Sequence, residues 1–124
     1  MSTIKVDNIR IASESVSRTA RGVAAAWVTF KGTNDAVIEG SLNESSLVDN
    51  DIGDYTLNLT SSFSSVNYAY SAMGGLNTTS LICVTQPRNL AQPTVSSIRH
   101  QTVHTNSTLV DPRIASIAYH GDLA

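Results

Sequence analysis

Strict alternation runs through the stretch YTLNLT: Tyr55, Leu57 and Leu59 are apolar or aromatic, and Thr56, Asn58 and Thr60 between and after them are polar. Successive side chains of a strand point to opposite faces, so this period of two lines one face with apolar groups and the other with polar ones. The pattern recurs. In AAAWVTFKG, Ala26, Val28 and Phe30 share a face opposite Trp27, Thr29 and Lys31, after which Gly32, Thr33, Asn34 and Asp35 supply turn chemistry. AVIEGSL continues the β pattern, with Val37 and Ile38 facing opposite ways and Gly40 placed for a bulge or bend. Val66, Tyr68 and Tyr70 alternate with Asn67, Ala69 and Ser71, MGGLNTT breaks that run, and SLICVTQ reads as a further strand. Pro87 and Pro93 bracket RNLAQ as a loop, because proline cannot donate to a central ladder. TVSSIRHQTVHT and RIASIAY are each of strand length, with NSTLVDP between them. The chain is therefore expected to hold roughly six to eight short strands at spacings typical of a sandwich or barrel. The one helical competitor, SVSRTARGVAAAW, is interrupted by Gly22.

These patterns predict an all-β fold, a small antiparallel sandwich or barrel-like knob with an extended N-terminal arm. A chain of 124 residues suits one domain. Residues 1–22 have little to bury and are read as an arm for docking or assembly; residues 23–124 form the β domain. Only 15% of the residues are charged, and Ser and Thr take many of the positions that a helical surface fills with Glu and Lys. The formal charge is -2, and Arg10, Arg18, Arg21, Lys31, Arg88, Arg99 and Arg113 are scattered, which argues against a nucleic-acid partner. Met1 to Arg21 has no apolar run of the signal-peptide kind, and no stretch approaches the roughly 20 residues that cross a bilayer, so a cytoplasmic start without membrane insertion is expected. The single cysteine, Cys83, cannot close an intramolecular disulfide and sits in an apolar run where a packing role is expected. The sequons at Asn43, Asn58, Asn77 and Asn106 read as chance in a chain rich in Ser, Thr and Asn.

No catalytic, cofactor-binding or metal-binding residue is assigned. The acidic stretch VDNDIGDY invites comparison with a calcium loop, but counted from Asp49 the sixth position is Asp54 rather than glycine and the twelfth is Thr60 rather than a carboxylate. A turn joining SLV to YTLNL explains it better. His100 and His104 are four apart, yet HQTVH lacks the glutamate of the zinc helix motif and lies in strand pattern, where both share a polar face with Thr102; His120 is distant in the chain. Such a row would form a metal site only by meeting itself across the axis of an oligomer. There is no nucleophile elbow, Gly74 and Gly75 are not followed by a phosphate-loop Lys, and turn residues separate Glu39 from Glu44. Trp27, Tyr55, Tyr68, Tyr70 and Tyr119 could line a carbohydrate platform, but aromatic residues on strands belong more often to the core. Binding, if present, is expected at the loop tips GTND, SAMGGLNTT and QPRNLAQP.

Together AAAWVTFKGT and SLNESSLVDNDIGDYTLNLTSSFSSVNYAY resemble a small β domain found at the ends of bacteriophage fibre and virion-decoration proteins. Its pattern is an Ala-x-Ala-Trp-Val-x-Phe-x-Gly-Thr strand, then Asn-x-Ser-Ser, an acidic turn and Gly-Asp-Tyr-Thr-x-Asn. The likeness spans Ala24 to about Tyr70 and rests on order, spacing and the pairs Trp27/Phe30 and Asp54/Tyr55; Leu42 and Leu47 replace an expected aromatic and isoleucine. The resemblance implies a virion structural protein assembled in the host bacterial cytoplasm, with no cofactor: a homotrimeric tail-fibre-like knob whose arm docks to other virion proteins and whose β domain contacts a host-surface glycan or protein. A capsid decoration protein, of cement or head-fibre kind, is the alternative. A small glycan-processing or metal-dependent enzyme would require carboxylates or histidines to converge. The chain's physics fits assembly, since a small β domain gains by burying strand edges against copies of itself.

Overall fold

The structure is a computed structural model that describes residues 2, 6, 8, 9, 18, 19, 23–76, 83–88 and 91–124. Among these residues there is no helix. Two short strands, β1 (Asn8–Ile9) and β2 (Arg18–Thr19), pair antiparallel within the segment expected to be the arm; the rest of residues 1–22, apart from Ser2 and Val6, lies outside the described residues. The remaining strands are β3 (Ala26–Lys31), β4 (Val37–Leu42), β5 (Glu44–Asp51), β6 (Asp54–Leu59), β7 (Ala69–Gly75), β8 (Cys83–Pro87), β9 (Ser97–His104) and β10 (Ile114–His120). They run antiparallel in the order β4-β3-β10-β7-β8-β9-β6-β5. The ladder folds on itself as a sandwich, β4-β3-β10-β7 forming one layer and β8-β9-β6-β5 the other, and it does not close into a barrel.

The alternation read from the sequence becomes the core. Ala26, Val28 and Phe30 of β3 and Ala115, Ile117 and Tyr119 of β10 face Tyr55, Leu57 and Leu59 of β6 and Ile98 of β9, and all are buried. Phe30 meets Tyr55 across the layers with ring centroids 5.1 Å apart, and Tyr68 meets Tyr119 edge-on at 6.2 Å. Large apolar side chains buried in this way each contribute roughly 1.5–3 kcal/mol. Gly32 permits one close approach. A Cβ there would strike the Tyr55 hydroxyl and come within 2.7 Å of the Pro112 ring.

The β4 bulge expected at Gly40 is present one residue earlier: Thr29 pairs with Gly40 and Phe30 with Ile38, leaving Glu39 as the extra residue. The acidic stretch is mostly strand. β5 runs on to Asp51, and the turn is confined to Ile52 and Gly53, the latter at φ 64°, where glycine carries no Cβ penalty.

The start of β7 also differs from the expectation. Val66 and Tyr68 precede β7, which begins at Ala69 and runs through Met73 and Gly74 to end at Gly75, inside the segment MGGLNTT. The cause is end closure. Phe63 donates its amide to Val95, Ser64 donates to Asp122, and Phe63 stacks on Tyr68 at 4.3 Å, so this segment caps the sandwich instead of pairing in it. The glycines stay in the ladder because β10 lies alongside, pairing Ala115 with Gly74 and Ile114 with Gly75. Residues 77–82 of MGGLNTT and SLICV, and Asn89 and Leu90 of RNLAQ, lie outside the described residues, as does the side chain of Cys83.

Candidate functional site

Strand β9 carries the histidines, and the face that His100 shares with Thr102 points into the sandwich. The expected polar face is interior: His100 and Thr102 are both 0% exposed. The reason is register, since β9 lies between β8 and β6 and the same face presents Ile98 to the core. His100 Nε2 lies 2.7 Å from the Tyr119 hydroxyl, and Nδ1 has no partner of hydrogen-bond geometry among the described residues. Burial pushes the imidazole down to about 4, weakly opposed by the nearby Gln86 backbone, so the ring is neutral. Thr102 shares a 3.2 Å hydrogen bond with Thr85 of β8. His104, half-buried, bonds to Asn106 through Nδ1 at 3.0 Å, and His120 lies at the far end of β10 beside a hollow lined by Tyr68 and Gly121. No group of three or more His, Cys, Asp or Glu among the described residues is arranged to hold a metal ion.

Sequence reasoning overlooked Glu44. Both of its carboxylate oxygens are buried without a hydrogen-bond partner among the described residues, and burial pushes its pKa up to about 8. Its proximity also raises the phenols of Tyr119 and Tyr68, although burial is the larger cause for both. Glu39 sits exposed at the β4 bulge. No signal in the sequence separated the two glutamates, because the inward turn of Glu44 depends on how β5 meets β6.

Two carboxylates of the acidic stretch, Asp51 and Asp54, are occupied within the fold. Asp54, buried, accepts from Arg99 Nε at 2.8 Å and Nη2 at 2.7 Å, and Arg88 Nε approaches it at 3.5 Å. The Arg99 hydrogen bonds, with help from Arg88, hold the Asp54 carboxyl below the usual range against the opposing effect of burial. Asp111 accepts from the Gly53 amide at 2.8 Å and the Tyr55 hydroxyl at 2.7 Å, and Asp51 accepts from the Ile52 amide. Three sequon asparagines likewise bond within the fold. Asn43 holds Ser61, Asn58 holds Ser46 and Asn106 holds Thr108; Asn77 lies outside the described residues.

The five aromatic residues do not form one platform. Tyr55, Tyr68 and Tyr119 are core, while Trp27 is 39% and Tyr70 41% exposed, and these two belong to different surfaces. Trp27 lies on the outer face of the first layer, over Gly40, where an added Cβ would sit 3.5 Å from its ring. Leu42 on β4, Ile114 on β10 and Met73 on β7, the last 77% exposed, share that face. Between Trp27 and Met73 runs a trough of about 330 Å³ floored by the small side chains of Thr29, Ser71, Ser116 and Ala118.

Tyr70 belongs to the second surface, a groove at the seam between the layers. Among the described residues β7 and β8 share one ladder pair, Gly74 with Cys83; continuing that register would set Tyr70 opposite Pro87. Past that pair the strands diverge, and beyond it lies a groove of about 520 Å³ lined by Tyr70, Gln86, Pro87, Arg88, Gln92 and Pro93. The Tyr70 ring stands edge-on to His100 at a centroid distance of 6.1 Å. The described parts of QPRNLAQP, a loop tip singled out in the sequence, form one wall; Tyr70, the opposite wall, was not singled out with it. No helix of the described residues is long and apolar enough to cross a membrane. Comparison with models of protein families, with curated proteins and with solved structures gave no match.

Proposed function

We propose that this chain is a bacteriophage virion structural protein, a homotrimeric tail-fibre-like knob that contacts the host surface, with residues 1–22 docking to other virion proteins. The resemblance of Ala24–Tyr70 to fibre-end and decoration domains supplies the biological context. The supporting observation is the apolar outer face of the first layer, where Trp27, Leu42, Met73 and Ile114 are exposed beside β4, whose other side pairs with no strand among the described residues. An apolar face rimmed by an open strand edge favours association, and closed symmetry among copies covers it without leaving an aggregating edge. Neither the buried histidine nor the paired carboxylates are needed for this role.

Light scattering of the full chain should report a trimer, and replacing both Trp27 and Met73 by Ser should shift it to monomer with the fold retained. A wild-type chain that stays monomeric at micromolar concentration overturns the reading. Copy number in the particle then chooses the location: a few trimers at one vertex place the protein on the tail, and a number matched to the capsid lattice makes it a decoration protein.

A further inference from the structure

We propose that the groove between β7 and β8 binds a saccharide that carries a carboxylate. Four features of the groove converge on that class. Tyr70 offers a partly exposed ring whose tilt is supported from beneath by the buried His100, so an apolar platform is available without ordering a mobile side chain. A pyranose presents a C–H face to such a ring and hydroxyls around its rim. Gln86 and Gln92 stand on the groove wall, and each amide carries both donors and an acceptor, which suits hydroxyls that also do both. Pro87 and Pro93 hold the wall's backbone in restricted conformations, which lowers the ordering cost of binding.

The fourth feature selects charge. Asp54 is shared by two arginines, and Arg99 holds both of its oxygens at 2.7 and 2.8 Å, whereas Arg88 reaches it through Nε at 3.5 Å. Arg88 Nη1 contacts Gln101 at 3.5 Å, and Nη2 has no hydrogen-bond partner among the described residues. The less committed of the two guanidinium groups lines the groove. A planar guanidinium with free donors matches a carboxylate oxygen pair. The backbone beneath is anchored, because the Arg88 amide donates to the Arg99 carbonyl at 2.8 Å.

This inference rests on the host-contact reading for its biological meaning, but binding can be measured separately from assembly. The experiment is calorimetry or ligand-observed NMR on the full chain, using sialylated and uronic-acid trisaccharides, each beside its neutral parent and a sulfated counterpart. At least one acidic member should bind about tenfold more tightly than its neutral parent. Arg88→Gln should abolish that preference while leaving Asp54 paired with Arg99, and Tyr70→Ala should weaken the acidic and neutral sugars alike by about tenfold. Absence of binding to every acidic member at millimolar concentration overturns the proposal, as does equal affinity for the neutral parents, a preference confined to sulfated sugars, or an acid preference that survives Arg88→Gln. Light scattering on the same sample separates the two readings: a trimer that binds no acidic sugar refutes the groove alone, and a monomer that binds one refutes the assembly alone.

Discussion

The outer faces of the two layers are finished differently. On β8-β9-β6-β5 the outward side chains bond to one another: Asp54 with Arg99 and Arg88, Asn50 with Thr56 at 2.9 Å, and Asn58 with Ser46 at 2.9 Å. On β4-β3-β10-β7 the outward side chains include Trp27, Leu42, Met73 and Ile114, and the hydrogen bond between Thr29 and Ser116 at 3.2 Å lies on the floor between them. The first arrangement satisfies a strand face toward water. The second leaves apolar area that a partner would cover. The contrast is one of degree: Val48 and Val84 are exposed among the bonded polar groups of the second layer, whereas the first exposes the larger Trp27 and Met73.

The largest disturbance should come from that interior, where the comparison between faces disappears. Phe30→Ala opens a cavity against Tyr55 and should lower stability by about 3–5 kcal/mol in denaturant titration, with both layers melting together. If only the first layer loosens in hydrogen exchange, the sandwich is less cooperative than its packing implies.

The next effect belongs to the polar face. Asp54→Ala removes the buried acceptor shared by two partly exposed arginines and should cost about 1–3 kcal/mol, less than the loss of a fully buried pair. The expected loss shrinks in acid, since the folded-state carboxyl lies below its ordinary value and its contribution is lost as pH falls through that lowered value.

Two buried groups shape the wider pH dependence. Glu44 has its folded-state value raised from 4.5 to about 8, so its contribution is complete below 4.5 and is lost as pH rises toward and through 8. His100 has its value lowered from 6.5 to about 4, so its neutral form is accommodated without cost above 6.5 and stability falls as pH drops toward 4. Stability should therefore be greatest on the acid side of neutrality, between about 4.5 and 6.5. Glu44→Gln should remove the alkaline decline, gaining roughly 1–3 kcal/mol at pH above 8 relative to wild type, with the full linkage value discounted for partial exposure. Thermal melts of both proteins across this range check it. Parallel melting curves at every pH would mean that Glu44 is not the group responsible.

The smallest effect on unfolding sharpens the comparison most. Trp27→Thr should change the stability of the dissociated monomer by about 0.5 kcal/mol or less, as surface substitutions do, yet weaken association. A large loss of monomer stability would instead make Trp27 part of the core.

The strands themselves were legible because alternation is local. Tyr55, Leu57 and Leu59 line the core as their spacing requires, and the bulge falls at Glu39, next to the Gly40 where it was expected. The break read over MGGLNTT comes only after Gly75, for a tertiary reason: β10 lends Gly74 and Gly75 pairing partners that no local pattern reveals. The groove was half legible. Its proline-bracketed wall reads as a loop tip, but Tyr70 enters only because β7 and β8 are neighbours that diverge beyond Gly74 and Cys83.

Residue order alone determined where the chain extends, where it turns and which side chains share a strand face, because these follow from backbone geometry over a few residues. Tertiary structure alone decided which faces are enclosed and which strands adjoin. It placed His100 and Glu44 inside and Trp27 outside, since burial is set by what another layer brings across the sandwich, a contact between residues far apart in the chain.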